Sequence, residues 1–143
     1  MHKSFYASGF LYNLKTQQIL LLSTPKQDQT SSWSMLGGEC NEGEEASKAF
    51  QRIVNQSLNI NLKDKDIYPI YDYFHEELDK TNYVFYAEVK RMPNFDSDTL
   101  SWVSFSEIVK FPFSPHTKQD VIVGERVINL KYRVDMNIQP IAH

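Results

Sequence analysis

Only five glycines occur in the 143 residues, yet Gly37, Gly38 and Gly43 fall within seven consecutive positions. Glycine serves where the backbone must adopt a conformation or an approach that a side chain would forbid. Reactive side chains gather around this stretch: Glu39, Cys40, Glu42, Glu44 and Glu45, with Arg52 a short way on. Cys40 has no histidine adjoining it in sequence to take its proton, so it reads as an incidental small residue rather than a nucleophile. As the only cysteine, it also excludes an internal disulfide and any multi-cysteine zinc site. Lys26 lies in the polar stretch before Trp33, where it could meet a phosphate; a solvated lysine is the plainer reading. His116 could line a pocket mouth or carry a proton, against the plainer reading of an exposed residue near a helix cap. Tyr71, Tyr73, Phe74, Tyr83, Phe85 and Tyr86 could stack on a nucleobase. Aromatic residues in strands more often pack a sheet, and that reading is taken for each ring.

The elements that must position these residues follow from periodicity. Ser4 to Leu14 reads as a strand, 15–17 as a turn and Gln18 to Leu22 as a second, buried strand. Ser23 to Ser32 is polar and contains Pro25, which predicts an exposed loop. Apolar character resumes from Trp33 to Leu36. After Gly43, the residues Ala46, Ala49, Phe50, Ile53, Val54 and Leu58 form one stripe at helical spacing, predicting a helix from Glu44 to Leu58. Asn41 with Glu44 three residues later resembles a capping box, and Glu44 and Glu45 suit the positive end of the helix dipole. Ile67 to His75 and Thr81 to Val89 read as paired strands around a polar loop. Leu100 to Phe105 reads as a short strand followed by a brief turn through Val109. Ser114-Pro115 is a helix start, a capping serine before a first-turn proline. Gln119 to Tyr132 then closes the chain as a helix, although its many Val and Ile residues also allow a strand. The order predicts an α+β or three-layer domain spanning residues 1–143 as one unit.

Composition narrows the function classes. Hydrophobic residues make up 41% and charged residues 23%, too apolar for disorder. Fifteen basic residues stand against eighteen acidic, a net charge of -3, which argues against nucleic acid as the partner. The longest aliphatic run, Ile19 to Leu22, is too short to cross a bilayer, and the first residues lack the apolar segment of a signal peptide. A cytoplasmic setting with no membrane partner is the expectation. The sequence leaves the oligomeric state open.

Gly38, five residues, Glu44, seven residues and Arg52 reproduce the front half of the Nudix box, G-x5-E-x7-R-E-U-x-E-E-x-G-U, in which U is a bulky aliphatic residue. The preceding Trp33-Ser34-Met35-Leu36-Gly37-Gly38 is similar to the family's W-x-x-P-G-G, with Leu36 in place of proline. Trp102-Val103-Ser104 with Glu107 is similar to the strand and turn that often follow the family's central hairpin. The chain therefore resembles the Nudix (MutT-like) hydrolase superfamily along nearly its whole length. That resemblance implies an α/β/α sandwich around a central mixed β-sheet. It also implies a loop over Gly37 to Gly43 that, with the helix start, walls a pocket. The ligand it implies is a nucleotide-like or diphosphate-containing small molecule, with Mg2+ or Mn2+ as cofactor. On the same basis Glu44 and Arg52 take the catalytic positions, Glu44 and Gln56 the metal positions. Gly37, Gly38 and Glu39, joined by Lys26, are expected to bind substrate.

The departures bear on activity. The family's remaining box carboxylates, its metal ligands, correspond here to Ile53, Gln56 and Ser57, and the box glycine to Asn59. Spacings of three and four put 53, 56 and 57 on one helix face; Ile53 and Ser57 read as packing within the apolar stripe. Diphosphate cleavage needs a cation to neutralise phosphate oxygens and acidify or orient water. One charge pair at about 4 Å is worth roughly 4 kcal/mol at an effective dielectric near 20, so losing three carboxylates is severe. Glu44, helped by Glu39, Glu42 or Glu45, is left to hold a metal–nucleotide complex weakly. Arg52 keeps only Glu45, Glu42 or a loop carbonyl to pair with. Two readings stay open. One is a Nudix protein that binds or acts on a nucleoside diphosphate-linked small molecule with hydrolysis weak or lost. The other is an active metal-dependent pyrophosphohydrolase with a rearranged carboxylate set, its displaced base among Glu76, Glu77, Glu107 and Asp120.

Overall fold

The computed structural model describes residues 5–25, 31–90, 100–110 and 113–135. Alternation of buried side chains builds the sheet. In β1 (Phe5–Asn13), Ala7 and Leu11 face one side, while Phe10 and Tyr12 face the other. In β2 (Gln18–Pro25), Leu20 opposes Ile19 and Leu21. In β6 (Lys80–Val89), Phe85 and Ala87 oppose Tyr86. Strands apolar on both faces must be covered on both faces, and two helices do this. α1 (Ala46–Leu58) lays Ala49, Phe50, Val54 and Leu58 against the Ala7 face. α2 (Pro115–Asp135) lays Val121 and Ile128 against the Phe10 face, joined by Ile108 from a 3-10 turn at Phe105–Lys110.

The remaining strands are β3 (Ser31–Ser34), β4 (Leu36–Glu39), β5 (Ile67–His75) and β7 (Leu100–Ser104). Among the described residues, seven strands form one sheet with the order β3-β2-β1-β6-β5, while β4 also pairs with β1 and β7 with β2. β1 and β6 run parallel, Phe5↔Thr81 to Asn13↔Val89, and the other strand pairs are antiparallel, with one isolated parallel bridge at Trp33↔Phe113. The result is the expected α+β sandwich around a mixed sheet.

Four local expectations are corrected. The stretch expected as a loop from Ser23 contains the end of β2 and all of β3, paired from Leu22↔Ser34 to Pro25↔Ser31. Hydroxyl residues pair through their backbones here, which polarity alone does not reveal. The helix begins at Ala46, two residues after Glu44, with extended Glu45 as its N-cap and no side-chain cap bond. Asn41 and Glu44 instead close a turn: the Glu44 N–H donates to the Asn41 carbonyl at 3.0 Å, and the Asn41 N–H to Glu44 Oε1 at 2.9 Å. Ser57 is exposed rather than part of the packed stripe, whereas Ile53 is buried. The closing segment is a helix, with Ser114 Oγ accepting the Thr117 N–H at 3.2 Å as its cap.

Candidate functional site

Gly37 and Gly38 lie in strand β4, not in a loop, opposite Ser8 and Ala7 of β1. Successive strand residues face opposite sides of a sheet, so the two glycines leave space on different faces. A Cβ at Gly37 would stand 2.9 Å from both Ser8 Cβ and Tyr6 Cε1, on the α2 side. A Cβ at Gly38 would stand 3.2 Å from Ile53 Cδ1, on the α1 side. Both sit in close contact with a neighbouring side chain. Only Gly43 of the three needs glycine for its backbone, with φ +78° and open space around it.

On the α1 side, Arg52 grips Glu44 with two nitrogens. Nε donates to Oε2 at 2.9 Å and Nη2 to Oε1 at 3.0 Å, while Nη2 also donates to the Glu39 carbonyl at 3.0 Å. This fork holds the Glu44 carboxyl below its ordinary pKa, and the Asn41 N–H reinforces it. The pair ties the loop before α1 to the helix and to the end of β4. The other expected metal position, Gln56, is exposed on α1 and carries no charge. Among the described residues, no three His, Cys, Asp or Glu side chains gather where they could hold a metal ion. The helix ends at Asn59, in the left-handed conformation with φ 54° and ψ 48°. Asparagine tolerates that conformation, so it replaces the box glycine without loss of the turn.

A pocket of about 270 Å³ opens on the opposite, α2 side. Its floor is a chain of buried polar groups. Ser8 Oγ donates to Asn82 Oδ1 at 2.9 Å, and Asn82 Nδ2 to the Tyr73 hydroxyl at 3.3 Å. Tyr73 in turn donates to Asp120 Oδ2 at 3.1 Å, and Tyr71 to Asp120 Oδ1 at 2.6 Å. Asp120 is only 2% exposed. Burial pushes its carboxyl above the ordinary value, against the opposing pull of the two tyrosine hydroxyls and of His116 and His75. Burial likewise pushes Tyr73 up to about 12 and Tyr71 higher still, so both hydroxyls stay protonated donors at neutral pH. One wall is a ladder of rings. The His75 and His116 centroids lie 4.0 Å apart, and the Tyr73 and His116 planes are within 3° of parallel at 5.8 Å.

A bulge in β5 aims this wall inward. The register shifts between Pro69 and Tyr71. Before it, Tyr68 packs on the α2 side; after it, Tyr71 and Tyr73 reach Asp120 on that same side. Uninterrupted alternation from Tyr68 would have turned Asp72 and Phe74 inward. Both are instead exposed. The extra residue thus re-aims three consecutive inward positions, Tyr71, Tyr73 and His75.

The sequence-derived candidates scatter. Glu44 and Arg52 meet each other. Glu39 ion-pairs with Lys80 and acts electrostatically on Tyr6, but neither Glu39 nor Lys80 lines the pocket. Lys26 lies outside the described residues. His116 is a pocket residue rather than an exposed cap, and Tyr71 and Tyr73 are hydrogen-bonded rather than packing residues. Of the candidate bases, Asp120 and Glu77 line the pocket, Glu76 is exposed, and Glu107 caps its own turn through the Ser104 N–H and hydroxyl. The start of α1 does not wall the pocket, because α1 covers the other face of the sheet. The Cys40 thiol is pushed up to about 11 by burial and Glu44, which leaves it inert. Ser8, His75 and Asn82 were missed. The one sequence signal for His75 is its period-two spacing after Tyr71 and Tyr73.

The chain matches the NUDIX domain family over residues 4–122. Comparison with curated protein sequences gives no significant match. A MutT/nudix family protein from Listeria innocua superposes with a TM-score of 0.72 at 16% identity, over 94% of this chain and 99% of that one. The NUDIX domain of Shewanella oneidensis NrtR, complexed with ADP ribose, gives a TM-score of 0.68 at 11% identity, over 90% of each chain. A C. elegans Ap4A hydrolase gives 0.65 at 15% identity, over 87% of this chain and 98% of that one. Against a MutT/nudix family protein from Enterococcus faecalis, with a TM-score of 0.53 and 17% identity, 71% of this chain aligns with 44% of that longer one.

Proposed function

Because this chain belongs to the NUDIX domain family, we propose that it is a ligand-binding member that holds a nucleotide-like or diphosphate-containing small molecule and hydrolyses it weakly or not at all. The ligand's flat, hydrogen-bonding part suits the pocket between β5 and α2, where rings stand beside a satisfied polar floor. The ADP-ribose complex of one structural neighbour and the Ap4A hydrolase activity named for another support this ligand class. We take residues 1–143 as one domain, working in the cytoplasm. Among the described residues no helix is long and apolar enough to cross a membrane.

One observation carries the loss of hydrolysis: the donor set does not fit a catalytic metal. Nudix hydrolases use Mg2+ or Mn2+, and such ions require oxygen ligands free to coordinate. Three of the roughly four acceptor sites of the Glu44 carboxylate are already taken, two on Oε1 by Arg52 and Asn41 and one on Oε2 by Arg52. A cation could reach it only through Oε2, and among the described residues no cluster of three His, Cys, Asp or Glu stands ready to hold one. The first of the missing carboxylate positions is a buried isoleucine fitted against Gly38. The alternative, an active pyrophosphohydrolase with a displaced base, rests on Asp120 and Glu77 lining the pocket.

Calorimetric titration with ADP-ribose and with a dinucleoside polyphosphate, in Mg2+ and then in chelator, separates the two readings. Binding of equal strength in both buffers is expected, weakened at least tenfold by Tyr73→Ala, with at most slow release of phosphate or nucleotide. Rapid metal-dependent release, abolished by Asp120→Asn, would establish the active enzyme instead.

A further inference from the structure

Among the described residues, the far end of the sheet gathers more lysines than acids. Two adjoining cavities, of about 390 and 270 Å³, share Asp66, Glu88, Val89 and Lys90. Lys63 and Lys65 complete the first and Lys15 the second, so four lysines surround one groove. None of the four has an ion-pair partner among the described residues, whereas Lys48 and Lys80 are paired with Asp64 and Glu39. Of the groove's two acids, Glu88 is already engaged by Lys131 at 3.5 Å. Among the described residues lining the groove, that leaves Asp66 against four ammonium groups. In a chain of net charge -3 this is a pronounced local reversal of sign.

The groove is separate from the ring-lined pocket. The pocket meets β1 at Tyr6 and Ser8, while the groove adjoins Asn13↔Val89, where the parallel strands β1 and β6 end. Five residues of strand from Ser8 to Asn13 put roughly 17 Å between the two. Like charges held together without counter-charge raise one another's energy, and a multivalent anion relieves that cost at each lysine at once. An extended polyanion would need further unpaired cations continuing from the groove, whereas Lys48 and Lys131, on the flanking helices, are ion-paired with Asp64 and Glu88.

We propose that this lysine groove is a second binding site, for a small multivalent anion of the diphosphate or oligophosphate class. The proposal does not depend on what occupies the ring-lined pocket. Inorganic pyrophosphate is the probe, titrated into the isotopically labelled full chain in metal-free buffer and followed by amide shifts. Saturable shifts are expected at Lys15, 60–66 and 88–90, with little change around Tyr73 and Asp120. The exposed substitutions Lys63→Gln, Lys65→Gln and Lys90→Gln, combined, should weaken binding at least tenfold, and Lys110→Gln should not. The proposal is overturned if no saturable binding occurs, if shifts fall only in the Tyr73 pocket, or if the triple variant binds as tightly as the parent. It is also overturned if a single-stranded oligonucleotide binds through these lysines and pyrophosphate does not compete.

Discussion

At the scale of single residues, two carboxylates carry opposite pH signatures. Arg52 lowers the Glu44 pKa, so this group's contribution to stability is complete above the ordinary glutamate value and is lost as pH falls through its folded value. Glu44→Gln should therefore cost about 1–2 kcal/mol at neutral pH, allowing for partial solvent screening, and little in acid. Asp120 behaves in reverse: burial raises its pKa, so stability declines as pH rises from the ordinary aspartate value through the folded one. Asp120→Asn should flatten that decline while keeping an acceptor for one tyrosine hydroxyl. Urea unfolding measured from pH 3 to pH 8 checks both; a parallel response of the two variants would contradict these assignments. The spacing from Gly38 to Arg52 singled out Glu44 and Arg52 but not their pairing: Arg52 was expected on Glu45, Glu42 or a loop carbonyl, and it takes Glu44 and the Glu39 carbonyl instead. Asp120 was one of four undistinguished acids, because its partners come from β5, 47 and 49 residues away.

At the scale of elements, the sandwich was legible because burial leaves its mark in the sequence: near-continuous apolar runs in β1 and β6, which are covered on both faces, and a 3.6 period in α1. The exact use of those elements was not. The β5 bulge leaves no mark in composition, yet it decides which rings enter the pocket. The β2–β3 pairing is hidden because polar residues there still join a backbone ladder, from Leu22↔Ser34 to Pro25↔Ser31. The docking of α2 shows the same limit. Nothing in the sequence around Gly124 marks its packing, yet a Cβ there would lie 2.8 Å from Phe10 Cζ and 3.1 Å from Ile70 Cδ1. On propensity alone, Gly124→Ala should stabilise the helix by about 1 kcal/mol. Phe10 is fully buried and has no room to retreat, so the overpacking cost of about 1–3 kcal/mol should prevail. A fall in the thermal midpoint is expected; a rise would mean that α2 can shift outward without loss.

At the scale of the whole molecule, the sheet is a partition. The Glu44–Arg52 pair and Ile53 lie on the α1 side, the ring-lined pocket on the α2 side, and β4 joins them with one glycine facing each way. Binding and metal chemistry can therefore be separated, since the pocket's polar floor uses nothing from α1. Restoring box carboxylates tests how far that separation goes. Gln56→Glu and Ser57→Glu alter exposed positions on one helix face and should leave the thermal midpoint nearly unchanged. Two new anions on one side of a helix should also raise Mn2+ affinity measurably. Ile53→Glu is different, because it places a carboxylate among buried apolar groups beside Gly38, at a cost of several kcal/mol unless a cation meets it. The triple variant should thus be destabilised in chelator and partly rescued by Mn2+, since a ligand that binds only the folded state stabilises it by mass action. Chelator and Mn2+ unfolding curves of the double and triple variants decide the matter. If the triple variant unfolds identically in both, position 53 does not face a cation site, and these helix positions no longer converge on one.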